Sequence, residues 1–217
     1  NAQGIRADYT WSDGHKQKLG TIGQVGATSF FPSKNLGCYG DGGAIFTNDD
    51  ALAHTLRGIV NHGMYVRYHH DVEGVNSRLD SLQACVLRAK LPHLDTYNMK
   101  RRSFARMYSE RLGANPNIIT PEIPEGDTAH VFHQYTIRIT NGKRDALAEH
   151  LSAHSVPFGI YYPIPLHQQK AYTDPRYKEA DFPVTNLLVQ EVLSLPMHTA
   201  LDEEQINFIT KLIVDFV

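Results

Sequence analysis

Lys34 is the residue whose surroundings raise the most chemistry. It stands in Ser29-Phe-Phe-Pro-Ser-Lys34-Asn-Leu-Gly-Cys-Tyr-Gly-Asp-Gly-Gly43, between an apolar run and four glycines, with Asp41 held between two of them. A lysine closing a buried strand is costly unless it is paired, exposed or functional. A free lysine amine is protonated at neutral pH and a poor nucleophile; burial, or use as a Schiff base with a carbonyl compound, changes that. On residue types and spacing alone, the plainer reading is a solvated lysine in a turn. The glycines fit neither G-x-G-x-x-G, because position 45 is Ile, nor G-x-x-x-x-G-K-[ST], because Lys34 precedes them. A nucleotide-phosphate cradle of either kind is not indicated, and the glycines instead imply a backbone that approaches something flat or bulky.

Other clusters read more simply. Adjacent histidines on a loop, as in His69-His70-Asp71, point apart and lack the usual zinc-site spacing, so no metal is expected. Lys100-Arg101-Arg102 reads as a solvated helix face. Cys38 reads as a small buried filler. Asp41 is either a turn residue or an orienting carboxylate. Arg78 stands where a helix begins, a poor place for a cation against the helix dipole, which favours a functional or interface role.

The elements that must position these residues follow from pattern. Ile22 to Phe31 predicts a turn and then a buried strand, stopped by Pro32, and Gly43 to Thr47 a second strand. Asn48-Asp49-Asp50 caps a helix over 51–60, and a polar, aromatic loop follows over 62–73. Ser77-Arg-Leu-Asp80 has the form of a capping box opening a helix that carries Leu79, Leu82, Val86 and Ala89 at helical spacing. Pro92 should break it, and the pattern resumes through Leu94, Tyr97, Phe104, Tyr108 and Leu112 until Gly113-Ala-Asn-Pro116. Beyond lies a smaller α/β unit: strands over 131–140 and 156–162, helices over 143–154, 187–193 and 203–216. The reading gives a first domain over 1–95 and a second over 96–217.

The bulk numbers bound the class. The 217 residues allow one sizeable domain or two small ones. A net charge of −2 supplies no basic excess for nucleic acid or an acidic membrane, and no apolar run is long enough to span a bilayer. Two cysteines make no disulfide framework and point to a reducing cytoplasm.

The stretch Ser29-Phe-Phe-Pro-Ser-Lys34-Asn-Leu-Gly-x-x-Gly-Asp-Gly-Gly43 resembles the lysine motif of the DegT/DnrJ/EryC1/StrS sugar aminotransferases, which are pyridoxal phosphate (PLP) enzymes of the aspartate-aminotransferase fold, fold type I. Further stretches resemble the same family: Asn1-Ala-Gln3, Asn61-His-Gly63, Gly74-Val-Asn76-Ser-Arg78-Leu followed by Leu82-Gln83-Ala84, Tyr162-Pro-x-Pro-Leu-His167 and Leu195-Pro-x-His198. The resemblance implies an α/β fold: part of the large PLP-binding domain, then the small C-terminal domain. It implies that Lys34 carries PLP as a Schiff base and shuttles the proton, that Ser29 hydrogen-bonds the cofactor phosphate, and that Gln3 sits near the ring's 3-oxygen. Asn76 would reach the phosphate of a partner's cofactor across a homodimer interface. Arg78, Tyr161, Tyr162 and His167 would contact substrate. In the family an acid that pairs with the pyridine nitrogen stands three residues before the position of Gln3. Here that position falls before Asn1, which implies a C-terminal fragment that is inactive alone.

The implied activity is transfer of an amino group, from glutamate, to a nucleotide-linked keto sugar, with 3-keto sugars or uronic acids of surface polysaccharide pathways as the nearest subgroup. Two alternatives stand beside it. A related sugar dehydratase typically has histidine at the lysine position, so Lys34 argues against it. A non-catalytic regulator or scaffold could also keep the fold.

Overall fold

The structure is a computed structural model that describes residues 3–124 and 128–217. It divides into two compact units, Asn1–Met99 with Pro124–His133, and Lys100–Ile123 with Gln134–Val217.

The first unit opens with an antiparallel hairpin of β1 (Asp8–Thr10) and β2 (Lys16–Lys18), in which Tyr9 faces Gln17. Its strands are three residues long and largely polar, so no alternation signals them in the sequence. Then β3 (Gly26–Ser29) pairs antiparallel with β4 (Gly43–Phe46), Ser29 opposite Gly43. The strand expected to reach Phe31 stops at Ser29 because the backbone turns: the Phe31 amide donates to Ser29 Oγ at 3.2 Å and the Lys34 amide to Phe31 O at 2.9 Å. Helix α1 (Asp50–Val60) starts where Asp49 Oδ1 accepts from the Leu52 amide at 3.0 Å, as the Asn-Asp-Asp cap predicts.

The expected loop over 62–73 contains a second small hairpin, β5 (Met64–Val66) with β6 (His69–His70). The capping box expected at Ser77 does not form. Ser77 instead donates its amide to Val60 O at 2.9 Å, and α2 (Ser81–Lys90) begins after Asp80, whose side chain makes no capping bond. Arg78 therefore lies ahead of the helix, two residues before its N-cap, rather than in its first turn. Pro92 sits in a 3₁₀ turn, Leu91–His93, that separates α2 from α3 (Leu94–Leu112), where its missing amide is harmless. The core here is Phe30, Leu36, Cys38, Leu87 and Leu94, with Ile5 and Ala44 at its margin. Cys38 is fully buried, a small filler as its context suggests.

In the second unit β7 (Ile118–Ile119), β8 (Tyr135–Ile139) and β9 (Val192–Leu195) form an antiparallel sheet in the order β7-β8-β9. Tyr135, Ile137 and Ile139 are buried while Thr136 and Arg138 are half-buried, the alternation a strand imposes. Around it lie α4 (Arg144–Ala153), α5 (Pro183–Glu191) and α6 (Glu203–Phe216). The strand expected over 156–162 reduces to one bridge between Gly159 and Ser194; Pro157 and Pro163, which have no amide to donate, bracket it. The helix expected over 187–193 begins earlier, with Pro183 in its first turn, and ends at Glu191. Val192–Leu195 pairs instead with β8, so tertiary pairing overrides the local helical pattern.

Lys100-Arg101-Arg102 is not a uniformly solvated face. Arg101 is only 7% exposed and donates through Nη1 to Met197 O at 2.9 Å. The reason is helical period: Arg101, Ala105, Tyr108 and Leu112 share the buried stripe of α3. Burial pushes the Arg101 guanidinium down to about 10.

Candidate active site

The lysine loop is built from the end of β3 to the start of β4. The Phe30 amide donates to Gly42 O at 2.7 Å and the Cys38 amide to Phe30 O at 2.8 Å, folding residues 31–41 into a closed loop at the strand ends. The Cys38 thiol lies 3.0 Å from Phe30 O and 3.1 Å from Gly40 O, bracing the loop from inside. The glycines answer the crowding of the loop itself. A Cβ on Gly37 would stand 2.4 Å from Pro32 O. The object that the glycine backbone approaches closely is thus the protein's own chain.

Ser29 ends β3, and Lys34 follows five residues later in the loop. Both are half-buried. The Ser29 hydroxyl oxygen accepts from Phe31 and keeps its own proton to donate. Lys34 Nζ has no hydrogen bond or ion pair among the described residues. Gln3 is exposed, two residues before Ile5.

Asn76 and Arg78 are placed by the turn after α1. His62 takes a left-handed backbone (φ 61°) and Gly63 follows at φ 74°. A Cβ on Gly63 would lie 1.7 Å from Val72 O, so only glycine fits. From this turn the His62 amide donates to Val75 O at 3.0 Å and the Val75 amide to Ile59 O at 2.7 Å, and Asn61 bridges Asn76. Arg78 Nε donates to Asn76 Oδ1 at 3.2 Å. Both side chains are exposed and line a cavity of about 970 Å³ with Asp41, Gly43, Ile45 and Leu56. Lys34, Ser29 and Gln3 do not line it.

Tyr161, Tyr162 and His167 belong to the second unit. The tyrosines are exposed. The His167 ring stacks on Phe182 with centroids 4.3 Å apart, and its Nε2 is buried without a partner among the described residues. His70 Nδ1 lies 2.8 Å from His62 O, and no group of three or more potential metal ligands occurs among the described residues.

Sequence reasoning passed over the side chains that grip the lysine loop. Asn35 Nδ2 donates to Asn98 Oδ1 at 2.8 Å and to Val131 O at 2.9 Å. Gln83 Oε1 accepts from the Tyr39 amide at 2.7 Å, and Lys90 Nζ donates to Gly37 O at 2.7 Å. One signal was available: Asn98 is an amide on the same helix stripe as Leu94 and Arg101.

Residues 2–214 match the DegT/DnrJ/EryC1/StrS aminotransferase family. The chain belongs to that family. It is 48% identical over 197 residues to the UDP-N-acetyl-3-dehydro-α-D-glucosamine 3-aminotransferase of Acidithiobacillus ferrooxidans, covering 91% of this chain and 52% of that protein. It is 43% identical over 217 residues to a pleiotropic regulatory protein of Geobacillus stearothermophilus, covering 99% of this chain and 56% of that protein. Among solved structures, DesV of S. venezuelae in complex with a ketimine intermediate superposes with a TM-score of 0.85 at 38% identity, covering 92% of this chain and 53% of that one. The chain thus spans about half the length of the curated relatives it matches. Its fold is the α/β fold of the family's PLP-dependent aminotransferases, fold type I.

The residues present suit such a cofactor. A half-buried lysine whose amine has no partner among the described residues lies in the loop five residues after Ser29, whose hydroxyl has a proton to spare. These are the donor types that a carbonyl and a phosphate on one ligand require.

Proposed function

We propose that the protein carrying this chain is a PLP-dependent aminotransferase that passes an amino group from a donor such as glutamate to a nucleotide-linked 3-keto sugar. The observation that carries this reading is Lys34: a half-buried residue whose amine has no partner among the described residues, in the loop that leaves β3 at Ser29, in a family of aminotransferases. When bound, PLP supplies the electron sink for carbanion chemistry. Lys34 Nζ would hold the cofactor's carbonyl carbon and, once released, take the proton from the donor's α-carbon. Ser29 Oγ would donate to the cofactor phosphate, and Gln3 would contact the ring's 3-oxygen.

In this reading Asn76 serves the phosphate of a second subunit's cofactor, and the active protein is a homodimer. Support comes from the exposure of Asn76 and Arg78 on a cavity that excludes Lys34. Arg78, Tyr161, Tyr162 and His167 are the proposed substrate contacts, and the two compact units are the proposed large-domain part and small domain. Both cysteines are free, which supports a cytoplasmic setting.

One relative's name favours a second reading, a regulator that keeps the fold. The two differ in a half-reaction. An aminotransferase given PLP and then glutamate loses its visible imine band and releases 2-oxoglutarate, and Lys34→Ala does neither. A protein that takes up PLP without reacting with any amino donor, or takes up none, is not the enzyme proposed.

A further inference from the structure

The lysine loop is gripped from outside by two helices that contribute nothing to the proposed chemistry. From α3, Asn98 accepts a hydrogen bond from Asn35, the residue next to Lys34, at 2.8 Å. The same amide donates to Ile5 O at 3.3 Å, two residues from Gln3. Asn98 is 3% exposed and Asn35 7%. A buried amide pair of this kind is expensive to leave unmade, so it fixes geometry more strongly than an exposed contact. From α2, Gln83 accepts from the Tyr39 amide at 2.7 Å, and its Nε2 would lie 3.0 Å from a Cβ placed on Gly40. The two grips fall on either side of the loop's buried anchor, Leu36 to Cys38.

We propose that Asn98 and Gln83 are positioning residues for Lys34: Asn98 registers the segment bearing Gln3 against the residue next to the lysine, and Gln83 fixes the far limb of the same loop. The inference rests on the reading of Lys34 as the cofactor lysine, but the grip itself is measurable without cofactor. Substitution at Gln83 separates acceptor from bulk. Gln83→Glu keeps an oxygen to accept from Tyr39; Gln83→Met keeps the length and loses it. Asn98→Leu removes both of that residue's bonds.

The first readout is amide hydrogen exchange at Tyr39, together with the acylation rate of Lys34 relative to exposed Lys170, on the intact chain without PLP. Loss of one net hydrogen bond should speed Tyr39 exchange about fivefold in Gln83→Met and change the Lys34 ratio in the same variant, while Gln83→Glu stays near wild type. The second, on the whole protein that carries this chain, is borohydride-fixed PLP mapped to individual lysines, in which Gln83→Met and Asn98→Leu should lower the share on Lys34. Unchanged Tyr39 exchange and an unchanged Lys34 ratio in Gln83→Met overturn the grip, whatever PLP does. Altered exchange with an unaltered Lys34 share among the variants overturns positioning. Absence of PLP from Lys34 in the wild type refutes the functional reading, and the positioning role with it, leaving only the grip.

Discussion

Gly63→Ala is the substitution whose cost the backbone fixes most directly, and it bears on the segment that carries Asn76. Gly63 sits at φ 74°, where a side chain costs about 1–2 kcal/mol. A Cβ there would stand 1.7 Å from Val72 O, a backbone atom that cannot rotate away. Relief requires moving the chain at Val72, just past β6, at about 1–3 kcal/mol for an overpacked site. The expected loss is about 2–5 kcal/mol. Gly14 is the control in the same unit. Its φ is 84° but nothing lies within 4 Å of its Cβ position, so Gly14→Ala should cost no more than about 1–2 kcal/mol. The chain has one tryptophan, Trp11, and it lies in the first unit, so urea denaturation followed by its fluorescence reports both variants. Gly63→Ala should shift the midpoint well beyond Gly14→Ala. Equal shifts would refute the claim that close approach to Val72, rather than turn conformation alone, requires glycine here.

Two further outcomes follow from the same geometry. Asn76→Ala should leave urea stability within about 0.5 kcal/mol of wild type, since among the described residues the exposed side chain only accepts from Arg78 and its backbone bridge to Asn61 survives; PLP retention should nevertheless weaken, and loss of stability instead would make Asn76 structural. Tyr135 is pushed up to about 12 by burial, so it folds neutral: its contribution is fully present below the unfolded value of about 10 and is lost as pH rises toward 12. Tyr135→Phe should therefore flatten the alkaline limb of the second unit's stability curve, and an unchanged limb between pH 10 and 12 would assign it to Tyr108 or elsewhere.

Much of the fold was legible where periodicity and caps agree. The Asp49 cap and the Asp202–Gln205 capping box set α1 and α6 close to where the sequence puts them. Legibility failed where long-range pairing decides. Ser77-Arg-Leu-Asp80 has a capping-box form, yet pairing of residues 75–77 with the end of α1 holds the chain extended past Ser77. Val192–Leu195 continues a helical pattern, yet β8 offers it a strand partner. The site divides in the same way. Lys34 and Ser29 stand out because a motif places them five residues apart. The α3 stripe marks Asn98 as a buried amide, but what Asn98, Gln83 and Lys90 hold is recognisable only once α2 and α3 are folded against the loop, since no local pattern tells a helix residue which group it will hold.

The central claim is that Lys34, and not another lysine, is the residue that takes PLP. Borohydride reduction of the PLP-treated protein, followed by peptide mapping, measures this directly. A pyridoxyl adduct is expected on the peptide containing Ser29 to Gly43, at Lys34, and its disappearance in Lys34→Ala with the fold retained. An adduct spread over exposed lysines such as Lys170, unchanged by Lys34→Ala, would contradict it.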